Sequence, residues 1–283
     1  MIQSKETEHF VAPFDEDISF EELPDAPPRA KYRPSITGWV GIVIVTFWVI
    51  VAVAGPFLLA PYGENELPFP DAYSEFQAPQ PGAWLGTDVS DRDVLSRLIF
   101  GAGRTMGISV AATVLAYFVG VVLGIGAAVS SPRVDMVMSR VNDAFLSMPT
   151  IMLGLVVVAA LGSSIPVLIG TAGLIYASVI FRLSRALGME IGVMDFVESA
   201  KARGEGRWWI ITREIWPNAR MPLITDFGLR LIYVILFISS LSFLGLGVQP
   251  PQADWGSMVR ENLGTLQYGQ SVFPVLAPAI AIA

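Results

Sequence analysis

Few side chains in this sequence are equipped for bond-making chemistry. There is no Cys and one His, His9, in a polar N-terminal stretch, so disulfides and thiolate chemistry are excluded and a His-based triad or His-ligated metal site is nearly so. No Gly-Lys pair occurs, and without it there is no loop of the GxxxxGK[ST] kind to cradle a nucleotide phosphate. The charged stretch Glu198–Arg220 stands out instead, carrying Lys201, Arg203, Arg207, Arg213 and Arg220 between two apolar runs, Val167–Ala186 and Leu223–Val248. What it offers is docking. A segment this polar between candidate membrane spans lies in water, and its cations place that water on the cytoplasmic side. Val197, Ala200 and Ala202 recur on one helical face, Gly204 and Gly206 interrupt it, and Trp208–Ile211 resume it. A short amphipathic helix at the tip of a membrane loop is a natural ligand for a groove on another protein.

The elements that must position this loop are membrane spans. The composition is 53% hydrophobic and 15% charged, against about 25% charged in soluble domains. The net charge of −7 comes largely from an acidic N-terminal tail and the loop around Glu64–Glu75, so no nucleic-acid partner is inferred. Residues 1–34, with Pro24, Pro27, Pro28 and Pro34 and no apolar period, read as a disordered cytoplasmic tail. Ile36–Ala60 is long enough for a first span, at roughly 20 residues for a ~30 Å core. Arg29, Lys31 and Arg33 before it place the N-terminus in the cytoplasm.

Residues 61–103 are then extracytoplasmic. Within them Ser90-Asp91-Arg92-Asp93 reads as an N-cap opening a short amphipathic helix on the outer membrane surface, with Val94, Leu95, Leu98 and Ile99 on one face and Asp93 and Arg97 spaced as an i,i+4 pair. The alternative is a buried end of the next span. That span, Met106–Val129, carries Gly120 and Gly124 at the spacing that lets a neighbouring helix approach closely. Ser131-Pro132 restarts a helix, and Asn142, Asp143 and Pro149 interrupt the entry to a third span, Ala144–Leu161, which suggests a helix lining a pathway or facing a partner. Asn142, Asp143 and Met148 are the candidate pathway residues.

The fourth span, Val167–Ala186, follows a tight turn and ends with Arg182 and Arg185, which either snorkel or meet a partner subunit. In the fifth, Leu223–Val248, Asp226 and Arg230 are placed in the first turns as an internal pair. Ser271–Ala283 opens a sixth run too short to cross a bilayer, and a longer natural chain continuing it is expected. The expectation is thus an all-α membrane protein of six transmembrane helices, the last truncated, with residues 104–283 as its core.

At this point a family pattern is visible. Glu198-Ser199-Ala200 with Gly204 and then Trp216-Pro217 resembles the E-A-A-x-x-x-G…I-x-L-P loop of permease subunits of bacterial ABC importers, with Ser199, Glu214 and Trp216 departing from it. Leu241–Pro251 followed by Asp254-Trp255-Gly256 resembles the S-F-L-G-L-G-x-x-P-P…W-G signature of the dipeptide, oligopeptide and nickel permeases. Leu85–Asp88 with Arg92–Arg97 resembles their L-G-T-D-x-x-G-R-D-V-L-S-R segment, Asp91 standing in the place of the Gly. The resemblance covers Trp84 to the last residue.

It implies a bacterial inner-membrane, multi-pass permease without catalytic or metal-binding residues. Two cytoplasmic ATPase subunits would bind the ATP and Mg, a homologous second permease would complete the path, and an extracytoplasmic solute-binding protein would deliver the solute. Residues 195–221 would be the coupling loop, with Glu198 as anchor near the helix start, Gly204 as its terminating turn, and Lys201 and Arg203 meeting the ATPase. Ser199, Ala200 and Pro217 occupy the remaining motif positions. Two other classes compete. An ion-coupled secondary transporter tends to show inverted repeats and mid-membrane ionisable residues, which are not apparent here. An intramembrane enzyme needs a catalytic set that this sequence lacks.

Overall fold

The computed structural model describes residues 36–70, 76–268 and 271–283, and the regular elements among them are helices. The tail expected over 1–34, His9 included, lies outside the described residues. The chain divides into Met1–Val43 and Ile44–Ala283. Of the first unit the opening turns of helix α1 (Ile36–Leu58) are described, with Ile36, Trp39, Val40, Ile42 and Val43 exposed. The second holds the rest of α1, then α2 (Val94–Ala128), α3 (Pro132–Leu146), α4 (Thr150–Leu161), α5 (Ile165–Gly192) and α6 (Asp195–Ala202). After these come α7 (Arg207–Trp209), a π segment (Ile210–Ile215), α8 (Trp216–Phe243), α9 (Trp255–Glu261), α10 (Thr265–Tyr268) and α11 (Phe273–Ile282). Among the described residues four helices are long and apolar enough to cross a membrane: Gly38–Leu58, Val94–Ala128, Ile165–Gly192 and the continuous Arg207–Phe243. The α3–α4 pair, bent by 86°, adds a fifth if it is one broken span.

Helices α2 and α5 form the centre. Leu115 meets Gly173, Gly120 meets Ala177 and Ile180, Gly124 meets Phe181 and Ser184, and Ala128 meets Gly188, so the two helices run in the same direction. Lipid tails are as apolar as Leu, and membrane helices are therefore held by close backbone approach and hydrogen bonds rather than by the hydrophobic effect. Ser184 Oγ lies 2.9 Å from Gly120 O across the interface and 2.7 Å from Ile180 O in its own helix, one hydroxyl proton serving both. The Gly120–Gly124 spacing is thus a true contact. Because α2 and α5 are parallel, the chain between them must climb back once, and α3 with α4 does so. Pro149 disfavours helix at Met148, and the elbow falls at Ser147–Pro149.

Three boundaries differ from the sequence reading. The separate outer-surface helix headed by Ser90 does not exist: α2 starts at Val94, capped by Asp93, whose Oδ2 accepts from Ser96 N at 2.7 Å. At 1.5 Å per residue its 35 residues cover roughly 52 Å, well beyond a ~30 Å core. The helix therefore outruns the bilayer, and the apolar face of its first turns is packed on Trp48, Val51 and Trp255 instead of lipid. Where the third span is expected lies the bent α3–α4 pair, with Asn142 and Asp143 inside α3 rather than at the break. The fifth begins at Arg207, not Leu223. Pro217 cannot donate to Arg213 O and its ring crowds that carbonyl. The wider π turn just before it relieves this crowding, so the helix runs through what the sequence suggested was loop.

Arg182 and Arg185 are held within the chain, to Asp143 at 2.8 Å and to Asp135 at 2.6 Å, which straps α3 along α5. Neither snorkelling nor a partner contact is needed to explain them.

A Cβ on Gly124 would lie 2.6 Å from Phe181 O and 3.0 Å from Arg185 N, both backbone atoms, while one on Gly126 meets nothing within 4 Å. Gly124→Ala should therefore destabilise the purified protein by about 1–3 kcal/mol, read as a lowered thermal midpoint in detergent. Gly126→Ala serves as the silent control.

Candidate functional site

The loop after α5 folds as the sequence suggested, helix, glycine turn, helix. Helix α6 carries Asp195 and Glu198 in its first turn, where carboxylates suit the positive end of the helix dipole. It ends in a Schellman turn: Gly204 N donates to Lys201 O at 2.9 Å, Glu205 N to Ala200 O at 3.2 Å, and Gly204 takes φ +85°. Val197 and Ala200 are buried, and Val197 shares a cluster with Ile191 of α5, Ile210 and Ile215 of the π segment and Ala219 of α8. Glu198, Ser199, Ala202, Arg203 and Gly204 face outward. Lys201 is exposed, yet its Nζ donates to Gly192 O at 2.9 Å and so closes the end of α5. Arg203 sits 5.9 Å from the centre of the Trp209 ring. Around α6 lie the exposed apolar side chains of Val193, Met194, Phe196 and Trp208, a mixed charged and greasy surface. Pro217 lies in the first turn of α8.

The three candidate pathway residues separate. Asn142 is buried against a cavity of about 310 Å³ lined by Val137, Phe145 and Ser178, and no acceptor meets its Nδ2. Asp143 is exposed and paired with Arg182, and Met148 is exposed at the elbow. Asp226 and Arg230 do pair, at 3.0 Å, but near the midpoint of the Arg207–Phe243 helix rather than in its first turns.

The opposite end holds what sequence reasoning missed. The two signature segments, 85–97 and 241–256, meet in one polar cap. Asp88 accepts from Ser90 N at 2.8 Å and Arg92 N at 3.0 Å, and pairs with Arg92 at 2.8 Å and with the fully buried Arg97 at 3.3 Å. Both arginines also reach Glu261 of α9, at 3.3 and 3.6 Å. Two acids and two bases thus neutralise one another, and the expected Asp93–Arg97 pair gives way to this quartet. Arg97 Nη1 donates further to Asn65 Oδ1 at 3.0 Å and Pro251 O at 3.2 Å. Arg104 grips Glu64 through both nitrogens, Nη2 to Oε2 at 2.7 Å, and donates to Ala253 O at 3.1 Å. Trp255 is pinned by two donations, from Nε1 to Leu98 O at 3.1 Å and from its backbone N–H to Thr105 Oγ1 at 3.2 Å. A Cβ on Gly256 would lie 2.3 Å from Ser239 O, so the glycine of the W-G pair marks close backbone approach. Asp91, in the place of the family's glycine, takes φ +57°, a left-handed conformation that Asp tolerates at some cost.

A family profile, "Binding-protein-dependent transport system inner membrane component", matches residues 120–283. The chain belongs to this family. Its permease relatives include the dipeptide transport system permease protein DppC of Alkalihalophilus pseudofirmus, 28% identical with 92% of this chain and 88% of that one covered. A putative peptide transport system permease protein of Brucella suis is 34% identical, covering 79% and 74%. The glutathione transport system permease protein GsiD of Pectobacterium atrosepticum is 29% identical, covering 85% and 74%. Among solved structures, a chain of the MetNI methionine ABC transporter in inward facing conformations superposes with a TM-score of 0.55 at 16% identity, covering 66% of this chain and 88% of that one, which shows a shared fold. The chain is a permease subunit of an ABC importer, a multi-pass membrane protein, and the ion-coupled alternative finds no support, the mid-helix Asp226–Arg230 pair notwithstanding.

In the permease's cap, two carboxylates respond to pH in opposite senses. Burial works against the charge of Glu64, but the Arg104 bonds and the N–H of Ala253 outweigh it and hold the group below its ordinary value. Burial pushes Asp254 up, against the hydrogen bonds of Ser257, Ser242 and Gly256.

Arg97→Met would leave Asp88 and Glu261 each with one cation fewer and two carbonyl acceptors, Asn65 Oδ1 and Pro251 O, without this donor. We expect a loss of about 3 kcal/mol or more, measured as a fall in the thermal midpoint or in the yield of folded protein. For Asp254, a folded value above the ordinary one means full stability at low pH, lost as pH rises through the folded value. Asp254→Asn keeps a capping oxygen and removes the desolvated charge. The variant should therefore lose less stability than the wild type as pH rises above the ordinary carboxylate range, with Glu64 contributing the opposite slope to both proteins.

Proposed function

We propose that this permease forms the translocation path together with a second, homologous permease, and that the pair carries peptides or a related small solute delivered by an extracytoplasmic binding protein. Two cytoplasmic ATPase subunits, holding ATP and Mg, drive it through α6. The observation that carries this reading is the build of α6: an exposed helix, sharply ended at Gly204, whose inner face shares a core with α5 and with the start of the α8 helix. A push on α6 is therefore transmitted to two membrane-length helices at once, a rigid-body input of the kind that switches transporters between states. Glu198, Ser199 and Arg203 form the contact face, with Gly204 fixing its end, while Lys201 and Pro217 act from inside the fold, Lys201 by closing α5 and Pro217 by placing the π turn. The sidedness follows from charge. Lys201, Arg203, Arg207, Arg213 and Arg220 are exposed around α6, whereas Arg92, Arg97 and Arg104 at the other end are neutralised by acids. With the α6 end cytoplasmic, the polar cap faces outward, and the N-terminus of α1 returns to the cytoplasm. The six-helix plan with α11 opening the last span is part of the same proposal.

Glu198→Lys reverses a charge on the contact face, and Gly204→Pro forbids the positive φ and removes the N–H that closes the Schellman turn. In proteoliposomes holding the assembled transporter, both variants should insert normally yet lose solute uptake by about tenfold or more per ATP hydrolysed. Unchanged coupling in both would contradict the role of α6.

A further inference from the structure

The Arg207–Phe243 helix outruns a bilayer, and the Asp226–Arg230 pair lies in its apolar part, beyond Arg220, the last of the exposed cations around α6, where charged side chains are costly and rarely face lipid. Its internal bonding is asymmetric. Arg230 donates from Nε to Asp226 Oδ2 at 3.0 Å and from Nη2 to Oδ1 at 3.1 Å, and Tyr117 of α2 donates from its hydroxyl to Oδ2 at 2.7 Å. The carboxylate is thus occupied on both oxygens. Arg230 Nη1, by contrast, meets no acceptor among the described residues. The guanidinium lies 5.9 Å from the centre of the Tyr233 ring, and Tyr176 of α5 donates to Tyr233 O at 3.0 Å, which ties this turn of α8 to the central helix pair. The pair is also not sealed: the Arg230 side chain is 21% exposed, that of Asp226 15%, and Tyr233 45%. An open edge of a charged pair at this depth has to meet water or protein, since hydrocarbon offers it no hydrogen bonds.

We propose that this edge lines the water-filled path and is a polar station for the solute's carboxylate, with Arg230 Nη1 as the donor and Tyr233 beside it. The proposal rests on the permease reading and deepens it by naming a contact residue and the group it takes. An anionic group fits because what remains unspent on the pair is donor capacity, and a guanidinium edge matches carboxylate geometry. Asp226 cancels most of the charge, so the hold is weak enough to release a passing solute, as conduction through any path requires. Tyr117 is a positioning residue: it anchors Asp226, which in turn aims Arg230. A small peptide with a free C-terminal carboxylate is the class of solute this station suits.

The test needs no knowledge of the natural solute. The chain has no Cys, so Tyr233→Cys introduces its only thiol, to be probed in the assembled transporter with two methanethiosulfonate reagents, one carrying a sulfonate and one a quaternary ammonium. We expect both to react in at least one nucleotide state, and the ratio of sulfonate to ammonium rates to fall about fivefold or more when Arg230→Gln is added, as the loss of one nearby charge dictates. The doubly neutral Asp226→Asn/Arg230→Gln variant, which buries no unpaired charge, should lose the sulfonate preference as well. No reaction at Tyr233→Cys in any nucleotide state, or an unchanged ratio in both variants, overturns the proposal. The permease reading is checked separately by ATP-driven uptake with the wild-type assembly: its failure removes both, while normal uptake alongside an unreactive Tyr233→Cys removes only the station.

Discussion

The backbones of α2 and α5 approach so closely at Gly120 and Gly124 that no side chain fits between them, and Gly173 and Gly188 leave room only for Leu115 and Ala128 of α2; the rest of the molecule hangs on that contact. Inside a bilayer, burying apolar surface gains little, so a helix pair persists only if its atoms touch and its polar groups bond. Glycines supply the first and Ser184 the second. Because this pair is parallel, α3 and α4 must return between its members, and because both helices outrun the bilayer at one end or the other, each carries an element beyond it: the polar cap at the start of α2, and α6 at the end of α5.

The two ends are built on opposite electrostatic principles. In the cap, three acids, Asp88, Glu261 and Glu64, meet three arginines, 92, 97 and 104, and the cluster is nearly closed to water. Such a cluster contributes little net stability over an apolar core, but removing any one member is expensive because it strands the others. It therefore specifies how the 85–97 and 241–261 segments join more than it strengthens them. Around α6 the cations are left exposed, and the apolar side chains of Val193, Met194, Phe196 and Trp208 lie among them. A surface of that kind is suited to a partner rather than to folding.

Between the ends, α8 is the helix that sees both. It starts within the core shared with α6, passes the Asp226–Arg230 pair near its midpoint, and finishes at Ser242, whose side chain and backbone leave no room for anything but Gly at 247. On the coupling role proposed for α6, motion entering there has a continuous helical path to the charged pair and to the loop that joins the cap. The regular bonding of that path is altered at the π turn before Pro217 and again at Pro222, which has no N–H to donate.

Much of this was legible in the residues themselves. Hydropathy marked the spans, since the bilayer demands a run of apolar residues of given length, and Gly204 announced the end of α6, since a helix that stops in a left-handed turn calls for glycine. The family pattern in 85–97, 198–217 and 241–256 was readable because motifs are local. What local reading could not supply were the boundaries and the partners. Val94–Ile99 has the same apolar period whether it lies on lipid or against Trp255, and Asp93 is equally placed to pair with Arg97 or to cap the helix while Asp88 takes that arginine. Local spacing puts Asp226 and Arg230 at a span's edge, after a polar loop over 207–220, whereas packing on α6 makes those polar residues helix. Spacing along the chain decides which side chains share a face. Which of several chemically equivalent partners a buried charge takes is decided by contacts such as that of Arg92 with Glu261, 169 residues apart in sequence, and only the folded chain sets those.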